Sequence, residues 1–323
     1  MAALVPAPAF AQITYESEVD VPSNVAPVIA AVQTLSSPSE NPASDPTQYL
    51  ISDNGYYQYT SGSISRFTAF PNAVRLSQRS LAAITGLGTS QPTLYLVSAF
   101  QQLVCFDLTT NLVVSPMPIV EAFENTESSL AVSQTGGVTM IGDGGNGYSI
   151  NPLTGAGTLI FANGGGTALG QFNNALYQSY GPNGLLYVLD YGNQRVQVLN
   201  PANAFAPVSQ FTLQAGLANM AFAIGPDGNF YFGNGDGGGQ AYTASGTFEG
   251  DFTSPVSTPN TNLGINPSVN ADGNGDVFVF DSTGAHEFLD TSVVPEPSTW
   301  ALFTLGLAGL FVIGRKRSFS RQA

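Results

Sequence analysis

Short apolar runs separated by turn-forming residues dominate the pattern of this chain. The runs are rich in Val, Ile, Leu, Phe and Tyr, and the segments between them are rich in Gly, Pro, Asp, Asn and Ser. Runs of this kind between turn signals predict β-strands. Before residue 298 we find no stretch of about 10–15 residues with the 3.6-residue period of an amphipathic helix. The pattern therefore predicts an all-β protein.

The apolar runs recur at an interval of about 45 residues, which is typical of propeller blades with several strands each. Their first residues are Gln48, Thr93, Val138, Leu185, Asn229 and Asp276. A β-sandwich would not repeat on this interval, and a β-solenoid would need a shorter one. We predict a six-bladed β-propeller over residues 48–291.

One repeat unit shows all the strands of a blade. It reads ALYQSY from Ala175, then LLYVLD, RVQVLN and VSQFTL. The turn sequence GPNG separates its first two strands, and GPDG stands at the same place in the next unit. This unit predicts four antiparallel strands per blade.

The last unit lacks a fourth strand, because the chain runs from it directly into a different segment. An unpaired strand edge invites aggregation. The alternating segment ITYESEV, Ile13 to Val19, could supply the missing outer strand and close the ring. Residues 12–47 are thus interpreted as this strand followed by a Pro/Ser-rich linker, within which PVIAAVQTL is a candidate inner strand of the first blade.

The charge of the chain is strongly acidic, and this excludes one class of partner. The formal net charge is −14, and only eight Lys and Arg oppose 22 Asp and Glu. An acidic surface repels phosphate backbones, so nucleic-acid binding is not expected. Cys105 is the only cysteine, so no internal disulfide can form, and its run QLVCFDL predicts a buried strand position.

The two ends of the chain carry targeting features. Residues 1–11 end in an Ala-x-Ala arrangement, Ala9 to Ala11, and are interpreted as the remnant of a signal peptide, although no cation precedes a short apolar part. Near the other end Ser298–Gly314 carry no charge, and as a helix they would reach about 25 Å, the low end of a membrane span.

The residues around this apolar segment form a recognisable order. Pro-Glu-Pro comes first, the apolar segment follows, and a basic cluster comes last; the residues are Val294, Pro295, Glu296, Pro297, Ser298, Arg315, Lys316 and Arg317. Residues 292–317 resemble the PEP-CTERM sorting signal of exported bacterial proteins, with a short tail at 318–323. The resemblance implies a precursor anchored in the inner membrane through a helix at 298–314. It further implies cleavage by an exosortase-type membrane enzyme and delivery to the cell surface or the extracellular matrix.

The most regular unit carries a second resemblance. In GPNGLLYVLDYGNQRVQVLN, residues Asp190, Asn193, Arg195 and Val196 match the D-x-x-N-x-R-V core of an NHL repeat. The other units match only in the turn and strand or in rhythm. The resemblance implies a six-bladed propeller in which Asp190 and Arg195 hold the turn between two strands by local hydrogen bonds.

Candidate chemistry is sparse in the sequence. His286 is the only histidine, so a Ser-His-Asp triad would have to use it, and an exposed histidine on a blade strand is the preferred interpretation. The segment NADGNGDVFVFD approximates a calcium loop, although it lacks the first Asp and the last Glu of that motif. Its candidate ligands are Asn270, Asp272, Asn274, Asp276 and Asp281. A plain turn before a strand is the favoured interpretation of this segment. Apart from Ca²⁺ at this loop, the sequence suggests no cofactor.

Three functions remain open at this stage. The first is a secreted, non-catalytic surface or matrix propeller that binds protein or polysaccharide. The second is a lactonase-like hydrolase with a central divalent metal, and the third is a purely structural matrix component. We favour the first over an enzyme, because histidine is nearly absent and no convergent polar motif stands out.

Overall fold

The computed structural model shows a protein built from β-strands. It describes residues 13–18, 28–33, 48–52, 55–60, 63–64, 67–70, 82–85, 93–97, 102–108, 110, 112–118, 129–133, 135–141, 146–151, 154, 156–162, 165–214, 221–234, 237–255, 268–271, 276–281 and 284–290. Within these residues the strands form six sheets, and the architecture is an all-β propeller.

The strands follow one another along the chain in short steps. In the first part they are β1 (Ile13–Glu18), β2 (Val28–Gln33), β3 (Gln48–Ser52), β4 (Gly55–Thr60), β5 (Ser63–Ile64), β6 (Thr68–Ala69), β7 (Ala82–Thr85), β8 (Thr93–Val97), β9 (Gln102–Asp107) and β10 (Leu112–Pro118). In the middle they are β11 (Ser129–Val132), β12 (Val138–Ile141), β13 (Gly147–Ile150), β14 (Gly157–Phe161), β15 (Ala175–Tyr180), β16 (Leu186–Asp190), β17 (Arg195–Asn200) and β18 (Ala206–Thr212). The last are β19 (Phe222–Ile224), β20 (Phe230–Gly233), β21 (Gly238–Tyr242), β22 (Phe248–Thr253), β23 (Ser268–Ala271), β24 (Asp276–Asp281) and β25 (Gly284–Asp290).

Each sheet is formed by consecutive antiparallel strands, with one exception. The first sheet contains β2 to β6, the second β7 to β10, the third β11 to β14, the fourth β15 to β18 and the fifth β19 to β22. The sixth contains β23, β24 and β25, and its outer strand is β1 from the other end of the chain. The predicted strands of the unit that begins at Ala175 correspond to β15 through β18.

The closing strand predicted from ITYESEV is confirmed. β1 pairs antiparallel with β25, with Ile13 opposite Asp290 and Glu18 opposite His286. The predicted inner strand within PVIAAVQTL is also present, because β2 pairs with β3. The first strand of each sheet contacts the first strand of the next, in the order β2, β7, β11, β15, β19, β23 and back to β2. These inner strands therefore surround a common axis.

The core lies between neighbouring sheets, which explains the continuous apolar runs in the sequence. All five residues of β16 and all four of both β12 and β20 are buried, because both faces of each sheet are covered by neighbours. The contact between the fourth and fifth sheets, for example, joins Leu189 and Val196 to Phe230 and Phe232. The outer strands β14 and β18 are largely exposed or half-buried.

Tight turns connect the first and second strands of the fourth and fifth sheets. In GPNG the amide of Gly184 donates to the carbonyl of Gly181 at 2.9 Å, and in GPDG Gly228 donates to Gly225 at 3.0 Å. Gly184 and Gly228 have φ angles of 75° and 90°, which favour glycine. The turn prediction for these two segments is confirmed.

Candidate functional site

The predicted sorting segment lies outside the described residues. This applies to the Pro-Glu-Pro motif, to the basic cluster and to the helix expected at 298–314. Within the part of the chain that the structure describes, we find no helix long and apolar enough to cross a membrane.

The residues of the NHL-like core form a buried polar network at the junction of β16 and β17. The Arg195 Nε donates to Asp190 Oδ2 at 2.7 Å, and the two side chains are 6% and 0% exposed. The same carboxylate oxygen accepts from Asn193 Nδ2 and from Gln197 Nε2, both at 2.9 Å. Since buried charges are stable only when paired and hydrogen-bonded, this set of donors accounts for the burial of Asp190.

The network reaches further than the local turn expected from the sequence. The Arg195 guanidinium donates to the carbonyls of Thr167, Ala168 and Gln171 at 2.6, 3.1 and 2.6 Å. The other Asp190 oxygen accepts from the Asn173 amide at 2.8 Å. Residues 165–174 join the third sheet to the fourth, so the pair holds the connection between two sheets. Its donors and acceptors are used internally, which favours the structural role over ligand contact.

A close backbone approach completes this connection. The amide of Gly192 donates to the Asn173 carbonyl at 2.8 Å, and a Cβ at position 192 would lie 2.6 Å from that same oxygen. Any side chain here would displace the connecting segment. The glycine of D-Y-G-N is therefore required by packing.

Polar groups also join the third and fourth sheets beside the axis. The Gln178 amide donates to Ser129 Oγ at 3.1 Å, and Gln178 Nε2 donates to the Ser129 carbonyl at 2.9 Å. Both residues are buried on inner strands. They connect neighbouring sheets where the strands converge.

The calcium ligands suggested by the sequence do not all converge in the fold. Asn270 lies on β23, while Asp276 and Asp281 begin and end β24. At about 3.4 Å per residue the backbones of these two acids are about 17 Å apart, so a single ion cannot bind both. Asp272 and Asn274 lie outside the described residues. Among the residues that the structure does describe, we find no group of three His, Cys, Asp or Glu side chains that could hold a metal ion.

The two other residues of potential chemical interest are both buried. His286, expected to be exposed, is 1% exposed on β25, so that expectation is wrong. Its strand lies between β24 and β1, and alternate residues of this strand, His286, Phe288 and Asp290, are buried. Cys105 is buried on β9 as predicted, and burial raises the pKa of its thiol to about 11.

Acidic groups surround a tyrosine between the fifth and sixth sheets. The Tyr231 hydroxyl donates to Asp290 Oδ2 at 2.5 Å. Burial, together with this hydrogen bond and the nearby charges of Asp290, Asp227 and Glu249, raises the pKa of Tyr231. Desolvation and the charge of Asp290 raise the pKa of Asp227 as well. Tyr231 thus connects the fifth sheet to the end of β25.

One long stretch of the propeller sequence is almost free of charged residues. Residues 144–226 contain only two charged residues, Asp190 and Arg195, and these form the buried pair. We call the described surface of residues 144–226 the neutral sector; it includes β14 and the whole fourth sheet. Leu159, Leu169 and Val208, the exposed large apolar residues of the described chain, all lie in it. The gap in charge is visible in the sequence itself, whereas the exposure of these three side chains is not.

Comparisons with known proteins agree with this fold and with the sorting segment. Residues 293–317 match the family described as the PEP-CTERM protein-sorting motif, which supports an exported precursor that passes through the membrane and, in general, processing by an exosortase. No curated protein matches the chain.

Two solved structures are similar to the body of the protein. One is a structural genomics protein of unknown function from Bacteroides thetaiotaomicron, with 12% identity and a TM-score of 0.58, over 86% of this chain and 76% of that one. The other is a streptogramin B lyase, with 10% identity and a TM-score of 0.51, over 85% of this chain and 97% of that one. At these identities the likeness concerns the fold alone. The chain is therefore an all-β propeller with a PEP-CTERM sorting motif at residues 293–317.

Proposed function

We propose that this chain is an exported protein of the bacterial cell surface or matrix, with a non-catalytic six-bladed propeller that binds protein or polysaccharide. The match of residues 293–317 to the sorting motif is the observation that carries the export proposal. Six sheets whose inner strands contact one another in a closed order support the blade count. The buried Asp190–Arg195 pair supports an NHL-type repeat in the fourth sheet.

The proposed sorting steps follow from the physical chemistry of the segment. Residues 298–314 are uncharged and long enough to halt in a bilayer, and the cations at 315–317 would stay on the cytoplasmic side. Pro295 and Pro297 disfavour helix, so an extended segment would remain just outside the membrane for a protease. The body would then be released to the surface after cleavage.

Mass spectrometry of the protein from the surface of its native host tests this sequence of steps. We expect a mature form that ends near Pro295 to Pro297. The variant Glu296→Ala should accumulate as the uncleaved precursor in the membrane fraction, while Glu287→Ala, a change on β25, should be processed normally. An intact mass through Ala323 in the surface form would mean that the segment is a permanent anchor.

The binding role is supported by the neutral sector, because a large uncharged surface with exposed apolar side chains is typical of interaction sites. Co-sedimentation with surface polysaccharide from the host, and binding to the host's purified surface proteins, would test it. Replacing Leu169 with Glu should weaken the interaction, whereas Thr253→Glu on β22 should not. Equal binding by the wild-type protein and both variants would contradict the assignment of the binding role to the neutral sector.

Enzymatic activity with a central metal is the alternative to this role. The printed name of one structural neighbour is that of a lyase, but the likeness extends to the fold only. If Asn270 to Asp281 form a plain turn and strand, as we propose, millimolar Ca²⁺ should leave the melting temperature unchanged. A rise in melting temperature that disappears in Asp272→Ala would favour a metal site.

A further inference from the structure

We propose that a second copy of this chain docks on the neutral sector, so that the protein associates with itself through the outer strands of its third and fourth sheets. The inference rests on the binding role proposed above and names the partner. It is independent of whether the C-terminal segment is cleaved.

Electrostatics restricts how two copies can meet. Each copy has a formal net charge of −14, and of the 22 acidic residues all but Asp190 lie outside residues 144–226, although residues 54–106 contain three arginines and no acid. At physiological ionic strength charges interact over about 8 Å, so acidic surfaces in contact repel each other. Like charges placed opposite each other cost several kcal/mol at an interface. The neutral sector presents no charge, because its only ion pair is buried, and so two copies can approach there without this penalty.

Apolar side chains give this approach a driving force. Leu159 is 54% exposed, Leu169 is 44% exposed and Val208 is 53% exposed. Leu169 precedes Gly170, whose backbone lies against β18, since a Cβ at position 170 would be 3.0 Å from Pro207 Cγ. Leu169, Pro207 and Val208 are thus neighbours on the outer rim. Burying these side chains against a second copy removes apolar surface from water and so favours association.

The outer strands differ in how they are protected against pairing with another chain. Prolines, charges and short length are common protections for an edge strand. Every outer strand but one shows one of these: short length in β5 and β6, prolines in β10 and β18, and acidic residues in β22 and β1. β14, Gly157–Phe161, has neither proline nor charge. The outer strand of every four-stranded sheet has a shift in register, β14 included. The bulge in β14 therefore does not distinguish it from the other outer strands.

An unprotected edge is also self-complementary. Two copies of β14 related by a two-fold axis can pair antiparallel, since each offers the same backbone groups to the other. Leu159 lies at the centre of this strand and would meet its counterpart near the axis. The second copy therefore satisfies the edge and the charge requirement together, and the apolar rim of Leu169, Pro207 and Val208 lies at the neighbouring fourth sheet.

Sedimentation velocity of the full chain in a mild detergent tests the proposal. Between about 1 and 100 µM protein we expect a concentration-dependent dimer. Val208→Lys and Leu159→Lys each place like charges in both copies and should raise the dimer dissociation constant at least tenfold. The matched control Thr253→Lys, at an exposed position of the outer strand β22, should leave the constant within about twofold.

Salt dependence provides an independent readout. Raising NaCl from 0.05 to 0.5 M screens the repulsion between two acidic bodies and should strengthen the dimer, whereas an interface of ion pairs would weaken. A dimer held by the apolar C-terminal segment would not respond to Val208→Lys, and that result would overturn the proposal. A monomer at every concentration that still binds host polysaccharide would also overturn it, while leaving the proposed binding role intact.

Discussion

Arg195 offers the sharpest test of how the fold is held together. The replacement Arg195→Met keeps an unbranched chain of similar length but removes the guanidinium. It takes away the charge beside Asp190 and the donors to the carbonyls of Thr167, Ala168 and Gln171. It also removes the hydrogen bond from Nη1 to Gln210 Oε1 at 2.6 Å. These losses differ in cost, because water can reach some of the groups and not others.

The buried carboxylate dominates the expected loss of stability. Thr167, Ala168 and Gln171 are exposed residues, so water can replace the guanidinium at their carbonyls. Asp190 is 0% exposed, and without Arg195 its charge remains buried with only neutral donors. Removing one partner of a buried ion pair costs about 3–5 kcal/mol. We therefore expect the free energy of unfolding to fall by about this amount in Arg195→Met, a large share of the 5–15 kcal/mol typical of a domain.

Urea unfolding followed by far-ultraviolet circular dichroism measures this loss. Thr212→Met, a change on the exposed strand position opposite Arg195, serves as the control and should alter stability by about 0.5 kcal/mol or less. In the double variant Asp190→Leu/Arg195→Met the combined loss should be smaller than the sum of the single losses by about 1–3 kcal/mol. If Arg195→Met cost less than about 1 kcal/mol, or the two losses were additive, the pair would not be the buried, coupled network described here.

Three further predictions concern the closure of the ring, a close contact and the single thiol. Deleting residues 12–20 removes β1 and exposes the edge of β25, so thermal unfolding should occur at a lower temperature and proteolysis should accelerate; unchanged stability would mean that β1 does not close the ring. Gly246→Ala should destabilise the protein more than Gly184→Ala, because both glycines have positive φ but only at Gly246 would a Cβ overlap a neighbour, the ring of Phe211; equal losses would exclude that contact. Cys105 should resist alkylation at pH 8 in the native protein and react in urea, because burial raises its pKa to about 11 and the thiolate is the reactive form; rapid native labelling would contradict its burial.

The sequence alone determined the class of the fold and the order of its strands. Runs buried on both faces must be apolar along their whole length, and their spacing of about 45 residues revealed the repeat. The three-stranded last unit indicated that a strand from elsewhere was needed, and the alternation in Ile13 to Val19 supplied it. The sorting motif was equally readable, since its chemistry lies in contiguous residues.

What only the tertiary structure decided depends on contacts between residues distant in sequence. His286 is buried on β25, which lies between β24 and β1 once β1 pairs with it. The strands β1 and β25 are far apart in the sequence, so this pairing is a tertiary contact. Arg195 looked like part of a local turn, yet its donors reach a segment 24 to 28 residues earlier because the connection between two sheets folds back over β17. The near absence of charged residues in 144–226 can be read directly from the sequence. That Leu159 and Val208 stand exposed there followed only from the position of β14 and β18 at the rim, since burial is a property of the packed sheets and not of a strand's own residues.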